Sequence, residues 1–158
     1  MTSVSQKCQY ALRALFELCK RRGTGPTPVG QVAEAQSIPV RFLEVILGQL
    51  KQHGLVQSRR GVQGGYLVSR EPSEILVGQV VRVVDGPLDP VDCLSESGCG
   101  STGNGSAKPC GYDGLCAFRQ MWEEARDAIS GVYDQTSFQD LLDREARLRR
   151  EYIDNYQI

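Results

Sequence analysis

The sequence has very little histidine and tryptophan, one residue of each, and it contains no run of about 18 apolar residues. A single histidine leaves little scope for acid–base catalysis, and we find no Ser-His-Asp set, paired acids in a cleft motif or phosphate-binding loop. The N-terminal MTSVSQKCQY lacks the charged and then apolar segments of a secretory signal. We therefore expect a cytoplasmic protein without a membrane span, and not an enzyme.

The composition is typical of a folded protein. Of 158 residues, 41% are hydrophobic and 23% are charged, which provides enough apolar surface for a core. The length fits one compact domain, or a small domain with an appended helix.

The net charge of −1 argues against a protein that coats nucleic acid. The charge is uneven, however, because the acidic residues lie mainly after position 84, whereas residues 41–70 contain five positive charges and one negative charge. This pattern indicates either a DNA-facing basic region or a solvated run of charge. The charged residues of the basic region are Arg41, Glu44, Lys51, Arg59, Arg60 and Arg70.

The first half of the chain has the pattern of a helix-turn-helix. Apolar residues at helical spacing predict a first helix over about 5–22, and a Gly-Thr-Gly-Pro segment ends it. We expect Thr27 to cap a short second helix with Pro28 in its first turn. A turn at 36–39 then leads into a third helix over about 39–53, with His53 as a cap and Gly54 at its end.

A predicted β-hairpin follows directly. Residues 55–58 and 66–69 are typical of short strands, and a basic, glycine-containing tip joins them. A helix-turn-helix followed by such a hairpin is the winged arrangement, in which the third helix enters the major groove and the wing contacts adjacent DNA. We expect Arg41 and Glu44 of the third helix and Arg60 of the wing to contact bases. Lys51 and Arg59 are expected to contact phosphates.

The second half predicts a long helix with an apolar seam. Residues 75–77 favour a short strand that leads into a helix ending near 85–87, and Thr136 or Ser137 caps a last helix whose charged part from Arg144 faces solvent. Between them, apolar residues recur at heptad spacing from 115 to 132. We interpret this seam as a homodimer contact, although packing on its own domain fits the pattern too. The predicted dimer residues are Phe118, Trp122, Ala125 and Ile129.

The fold class predicted from these patterns is mainly α with a small β-hairpin: a winged helix-turn-helix domain plus a long dimerisation helix. We divide the chain into a DNA-binding domain at 1–86, a cysteine-rich cluster-binding loop at 87–114, and the dimerisation and C-terminal helices at 115–158.

Four of the six cysteines lie within 24 residues, in a segment rich in glycine and serine. Thiolates select iron–sulfur clusters, zinc or copper(I). Zinc sites usually pair cysteines two to four residues apart, so the wider gaps here favour a cluster, with zinc, disulfides and redox thiols as alternatives. Cys8 and Cys19 fall on the apolar face of the first helix and are interpreted as structural, with Cys8 as a reserve ligand. The four loop cysteines are Cys93, Cys99, Cys110 and Cys116.

Several motifs make the chain resemble the iron–sulfur-cluster regulators, a family of bacterial winged-helix transcription factors that includes IscR, NsrR and RirA. They are YALR at 10–13, FLE at 42–44, GLV at 54–56, RG at 60–61, GGYL at 64–67, and a cysteine at 116 six residues before Trp122. The resemblance implies cluster ligation by Cys93, Cys99 and Cys116.

Two positions depart from the family pattern. Arg119 stands where IscR has a histidine ligand, and Gln9 stands where NsrR has an aspartate. The additional Cys110 completes an all-cysteine site in one interpretation and is a spare thiol in the other, so the cluster type, 2Fe–2S or 4Fe–4S, stays open.

These features together predict a cluster-dependent transcriptional regulator, a repressor by resemblance, that binds palindromic double-stranded DNA as a homodimer. Two alternatives remain at this point: a small iron–sulfur electron-transfer protein, and a cluster-free regulator that uses thiols or zinc. The helix-turn-helix and the basic wing favour a regulator, because an electron carrier has no use for them.

Overall fold

The computed structural model describes residues 4–94 and 116–156. Within them the chain forms six α-helices and one antiparallel hairpin, which confirms the mainly α fold class with a winged helix-turn-helix and a long additional helix. Two 3-10 turns, Pro72–Glu74 and Asp92–Leu94, lie between the longer elements. The elements are α1 (Gln6–Lys20), α2 (Val29–Gln36), α3 (Val40–Gln52), β1 (Val56–Arg59), β2 (Gly65–Val68), α4 (Val77–Asp85), α5 (Ala117–Gln135) and α6 (Phe138–Tyr156).

One hydrophobic core joins the first four helices, the hairpin and the start of α6. Helix α1 lies at its centre, because α2, α3, α4 and β2 all pack against it. Burying these aliphatic side chains is the main source of the stability of the fold. The fully buried members include Ala11, Ala14, Leu15, Val32, Leu43, Ile46, Leu47, Leu50, Ile75, Val80 and Phe138.

The entry to α2 differs from the sequence prediction. Thr27 does not cap this helix; it is 4% exposed, and its backbone exchanges two hydrogen bonds of 2.8 Å with Tyr66 of β2. Helix α2 therefore begins after Pro28, at Val29. The pairing extends the hairpin by an isolated bridge to the segment before α2, and so fixes the wing against the helix-turn-helix.

Smaller differences concern the later elements. The hairpin pairs Val56 with Val68, so β1 begins and ends one residue later than predicted, and β2 one residue earlier. Residues 75–77 do not form a strand, because α4 begins at Val77 and only Leu76 makes an isolated bridge, to Ser137.

Helix α6 has the serine cap expected from the sequence. Ser137 Oγ accepts a hydrogen bond from the Asp140 backbone N–H at 3.1 Å, and the Asp140 carboxylate accepts from the Ser137 N–H at 2.8 Å. The hydrogen bonds from the Ser137 hydroxyl and backbone hold the pKa of Asp140 below its usual value. The predicted cap at 136–137 is thus confirmed. The charged segment from Arg144 is helical, and its arginines are exposed.

Candidate nucleic-acid interface and cysteine loop

Helix α3 has one buried side and one exposed side. Its inner residues Leu43, Ile46, Leu47 and Leu50 are all 0% exposed. The opposite side presents residues at spacings of four, three and four, which places them in one stripe along the helix. The stripe consists of Arg41, Val45, Gly48 and Gln52, with Glu44 beside it, and Arg41, Glu44, Val45 and Gln52 are exposed.

The polar residues of the motif at 10–13 hold the helix-turn-helix together. The Tyr10 ring meets the Phe42 ring edge-on, with centroids 6.3 Å apart. The Arg13 guanidinium donates to the Gln36 backbone oxygen at the end of α2. On the other flank of α3, Gln49 Nε2 donates to the Val83 carbonyl of α4 at 2.6 Å. Helix α3 is therefore fixed to α1 and α4, and α2 to α1.

Sequence reasoning missed a buried acid in α1. Glu17 is 6% exposed, and its carboxylate accepts hydrogen bonds from Arg21 Nε at 2.6 Å and from Gln36 Nε2 at 3.1 Å. Burial by itself raises the pKa of Glu17, but the hydrogen bonds from Arg21 and Gln36 outweigh it, and the pKa lies below its ordinary value. The available signal was an acid placed between Leu15 and Leu18 on the apolar side of α1.

The glycines of the wing are explained by close backbone approach. A Cβ at Gly65 would lie 2.3 Å from the Thr27 carbonyl oxygen, and one at Gly64 would lie 2.5 Å from the Arg59 carbonyl oxygen. Gly61 has φ of +114°, a conformation that favours glycine. The glycines of the RG and GGYL motifs thus specify the shape of the wing.

All five predicted DNA-contact residues are exposed. Lys51, near the end of α3, donates to Ser58 Oγ of β1 at 2.7 Å and so connects the helix with the wing. Within the residues that the structure describes, Arg41, Arg59 and Arg60 form no ion pair and no hydrogen bond from their side chains. Their charges are therefore available to an anionic partner.

The six cysteines fall into two groups. Cys8 and Cys19 are 0% and 3% exposed. Burial raises the pKa of both thiols to about 12, and for Cys8 the nearby Asp85 carboxylate adds to the effect. Both are thus held as thiols in the core, which supports the structural interpretation and argues against Cys8 as a reserve ligand. Cys93 and Cys116 are half-buried free cysteines.

Cys93 and Cys116 lie at the two ends of the segment that carries the other loop cysteines. Cys93 belongs to the 3-10 turn that packs against α5, and Cys116 is the N-cap of α5. Cys99 and Cys110 lie outside the described residues. Among those described, no group of three or more histidine, cysteine or acidic residues is arranged to hold a metal. The sulfur donors at the two ends nevertheless fit a soft, thiolate-bound group.

Arg119, which stands where IscR has a histidine ligand, forms an ion pair within α5. The Arg119 guanidinium pairs with Glu123 at 2.9 Å, one turn further along α5.

We predict a clear difference in reactivity between the two groups of cysteines. In metal-free, reduced protein at pH 8, iodoacetamide is expected to alkylate Cys93 and Cys116 and to leave Cys8 and Cys19 unmodified until the protein is unfolded, because only an accessible thiolate reacts. Peptide mass spectrometry before and after urea treatment measures this. Rapid labelling of Cys8 in the native protein would show that the α1–α4 contact opens in solution.

Helix α5 contains no fully buried residue. One side of it contacts the rest of the protomer: Asp134 accepts two hydrogen bonds from Arg82 of α4 at 2.6 and 2.7 Å, and Arg126 lies 3.7 Å from Asp89. Ile129 lines a cavity of about 320 Å³ together with residues 4–5 before α1, residues of α4, and the segment 87–90 that follows it.

A second side of α5 carries exposed apolar residues. Phe118 is 65%, Met121 45% and Val132 63% exposed. With Ala125 and Ala128 they form a stripe of regular three- and four-residue spacing, which we call the α5 stripe. The sequence-predicted dimer residues are therefore divided: Phe118 and Ala125 belong to the α5 stripe, Trp122 is half-buried beside it, and Ile129 faces its own protomer.

In the part of the chain that the structure describes, the helices are too short or too polar to span a bilayer.

Comparison with known proteins gives a consistent result. Residues 4–144 match the Rrf2 family model, described as iron-dependent transcriptional regulators. The chain is 34% identical to the HTH-type transcriptional regulator CymR of Bacillus subtilis over 138 residues, covering 87% of this chain and 88% of CymR. It is 30% identical to IscR of Photorhabdus laumondii over 142 residues, covering 90% and 80% of the two chains.

Solved structures agree. The structure of CymR, the global cysteine regulator of B. subtilis, superposes with a TM-score of 0.73 at 33% identity and covers 91% of this chain and 98% of its own. IscR of T. potens superposes with a TM-score of 0.69 at 31% identity, covering 90% and 88%.

Proposed function

This chain belongs to the Rrf2 family of transcriptional regulators, and we propose that it is a cluster-dependent member that binds palindromic operator DNA as a homodimer. Its relatives are transcriptional regulators, so the chain is a DNA-binding regulator and not an enzyme. The observation that supports a bound cluster is the difference in burial between two groups of cysteines. Two are buried as protonated thiols, whereas the two at the ends of the loop are accessible donors.

Three parts of the chain take three roles in this proposal. Residues 1–86 bind DNA, residues 87–114 carry the cluster loop, and residues 115–158 contain the dimer helix. In the DNA-binding part, arginine reads guanine and glutamate accepts from cytosine N4, which assigns Arg41, Glu44 and Arg60 to bases. Lys51 and Arg59 contact phosphates and orient the protein.

This assignment predicts two different kinds of defect. Arg60→Ala is expected to weaken operator binding by about 1–3 kcal/mol and to relax the preference at one base pair. Lys51→Ala is expected to weaken binding evenly across sequences and to lower the slope of log K against log salt by about one. Fluorescence anisotropy over a salt series measures both. Unchanged affinity in both variants would refute the assignment.

The proposed cluster ligands are Cys93, Cys99 and Cys116, with Cys110 as the fourth donor. A bound cluster supplies a redox-active, signal-sensitive centre that holds several thiolates together. The protein residues around the loop determine what such ligation changes. Residues 87–94 follow α4, and Cys116 caps the start of α5. Ligation that changes the distance between the thiolates of Cys93 and Cys116 therefore moves α5 relative to α4.

A chain of contacts leads from α5 to the DNA-reading helix. Asp134 of α5 binds Arg82 of α4, and the Val83 carbonyl of α4 accepts from Gln49 of α3. A shift of α5 is therefore passed to the spacing of the two recognition helices, which has to match half-sites about one helical turn apart.

A cluster-free regulator that uses its thiols is the second candidate. It is favoured by the likeness to CymR, the global cysteine regulator of B. subtilis. The electron-transfer alternative does not fit, because the chain belongs to a family of transcriptional regulators.

The absorption spectrum separates the two candidates. Anaerobically purified protein is expected to be brown, with charge-transfer absorption in the visible range and with equimolar iron and sulfide, since thiolates of this kind select such clusters. Colourless protein that contains zinc or no metal, after reconstitution with iron and sulfide has been attempted, would favour the thiol-based regulator.

A further inference from the structure

Val45 is an apolar residue on the DNA-facing side of α3 that the protein itself does not use for packing. Its side chain is 65% exposed, although its neighbour Ile46 is fully buried. Val45 belongs to neither hydrophobic cluster of the described residues. The exposed Phe42 differs, because its ring packs edge-on against Tyr10. A β-branched residue is also not a preferred helix former, so helix propensity does not account for Val45.

The surroundings of Val45 form a shallow surface. Gly48, one turn further along the same stripe, has no heavy atom within 4 Å of the position that a Cβ would occupy. The fold therefore has room for a side chain at 48, and glycine is unfavourable inside a helix. On the other side, Arg41 is exposed and has no ion-pair partner among the described residues. The centre of the stripe is thus a low, apolar area beside a free positive charge.

We propose that Val45 contacts the C5-methyl group of a thymine in the major groove and thereby sets a preference for that base, with the gap at Gly48 letting the base edge approach. Thymine is the base that presents a methyl group in this groove, and apolar side chains recognise it by contact. The positive charge of Arg41 is suited to an adjoining guanine. This inference rests on the proposed DNA binding by α3.

Deoxyuridine provides the test, because it differs from thymidine by the methyl group alone. The full-length protein first selects its operator from a random-sequence duplex library. Each thymine of the enriched palindrome is then replaced by deoxyuridine at the same position of both half-sites. One such replacement is expected to lower the affinity of the wild type about fourfold per half-site and about 15-fold in total, the effect of removing one methyl from an apolar contact.

Variants identify the protein partner of that methyl. In Val45→Ala the same deoxyuridine replacement is expected to change affinity less than twofold, because the contact is already lost. Leu148→Ala removes a similarly exposed apolar side chain on α6 and is expected to keep the wild-type sensitivity. Equal thermal unfolding midpoints check that both variants are folded.

The outcomes separate this inference from the proposed function. If no sequence is enriched, or if binding is unaffected by Arg41→Ala together with Arg60→Ala, DNA binding by α3 and the wing is wrong. If an operator is enriched but no thymine is sensitive, or if Val45→Ala is as sensitive as the wild type, the thymine contact is overturned and the proposed function stands.

Discussion

Replacing Cys93, Cys99 or Cys116 by alanine is expected to remove most of the bound iron and to make operator affinity independent of reconstitution. Each replacement removes one of the thiolates proposed to bind the cluster, and a cluster with a missing ligand is readily lost. Iron and sulfide analysis of anaerobically purified variants measures the loss. Anisotropy titrations with reconstituted and metal-free protein measure the second effect.

Cys19→Ala is the matched control for these variants. It also removes a cysteine, but one that is 3% exposed and has a pKa raised to about 12 by burial. It is expected to keep its iron and to show only a lower unfolding temperature, because a buried sulfur acts as a small hydrophobe. Full cluster occupancy in the Cys93, Cys99 and Cys116 variants, or equal operator affinity of loaded and metal-free wild type, would contradict the proposed switch.

Cys110→Ala decides between the two interpretations of the additional cysteine. If Cys110 is the fourth ligand, its replacement lowers the iron content as the other three do. If it is a spare thiol, the iron content and spectrum stay as in the wild type. Arg119→His offers a complementary experiment, since it restores the residue that IscR has at this position. In the Cys110→Ala background it is expected to recover the cluster if the Arg119 position faces it, and the pairing of Arg119 with Glu123 is then lost.

The free energy that cluster binding has to supply to change operator affinity can be estimated from a two-state equilibrium. Moving a two-state equilibrium decisively takes about 5.5 kcal/mol of differential stabilisation, and metal–thiolate bonds that hold a segment together can supply it. The contacts that would transmit the change are specific: Arg82 with Asp134, and Gln49 with the Val83 carbonyl. Arg82 and Asp134 are both about 40% exposed, so solvent screens the pair and it functions mainly as a positioning contact.

The helices and the wing could be predicted from local pattern because their signals are local. Apolar spacing placed α1 and α3, and the glycine at 54 and the glycine-rich tip marked the ends of α3 and of the strands. Thr27 was predicted wrongly for the opposite reason. Its partner, Tyr66, is 39 residues further along the chain, and a residue with cap chemistry gives no local sign that its backbone is committed to a strand. Glu17 is a similar case, since its partner Gln36 comes from α2.

The candidate site likewise has parts that could be predicted from the sequence and parts that could not. That five charged residues of the basic region are exposed was predictable from their position on amphipathic elements. The ligand set of the loop stays a prediction, because Cys99 and Cys110 lie outside the described residues. The sequence left open which side of α5 would meet a partner, because spacings of three and four fit two overlapping stripes on one helix. Both stripes contain Phe118, Ala125 and Val132. One adds Trp122 and Ile129, of which Ile129 lines a cavity within its own chain, and the other adds Met121 and Ala128.

Val132→Asp is expected to convert a dimer into monomers and to weaken operator binding strongly. Val132 is 63% exposed in a helix that has no fully buried residue, and it continues the α5 stripe of Phe118 and Met121. In a two-fold contact between α5 helices the new carboxylate would be buried without a partner. Loss of the dimer also separates the two half-site contacts, and linked binding of this kind contributes about 10²- to 10⁴-fold in affinity. Light scattering gives the mass, and anisotropy gives the affinity.

Two further aspartate variants make this result specific to the α5 stripe. Gln120→Asp places the same charge on the polar side of α5, near Glu124, and is expected to remain a dimer. Ile129→Asp places it in the cavity that also contains Asp85 and Asp89, where repulsion between carboxylates is expected to lower the thermal unfolding midpoint of the protomer rather than to act on the dimer alone. A Val132→Asp protein that stays dimeric, together with an Ile129→Asp protein that is folded and monomeric, would move the interface away from Val132 to the side of α5 that carries Trp122 and Ile129.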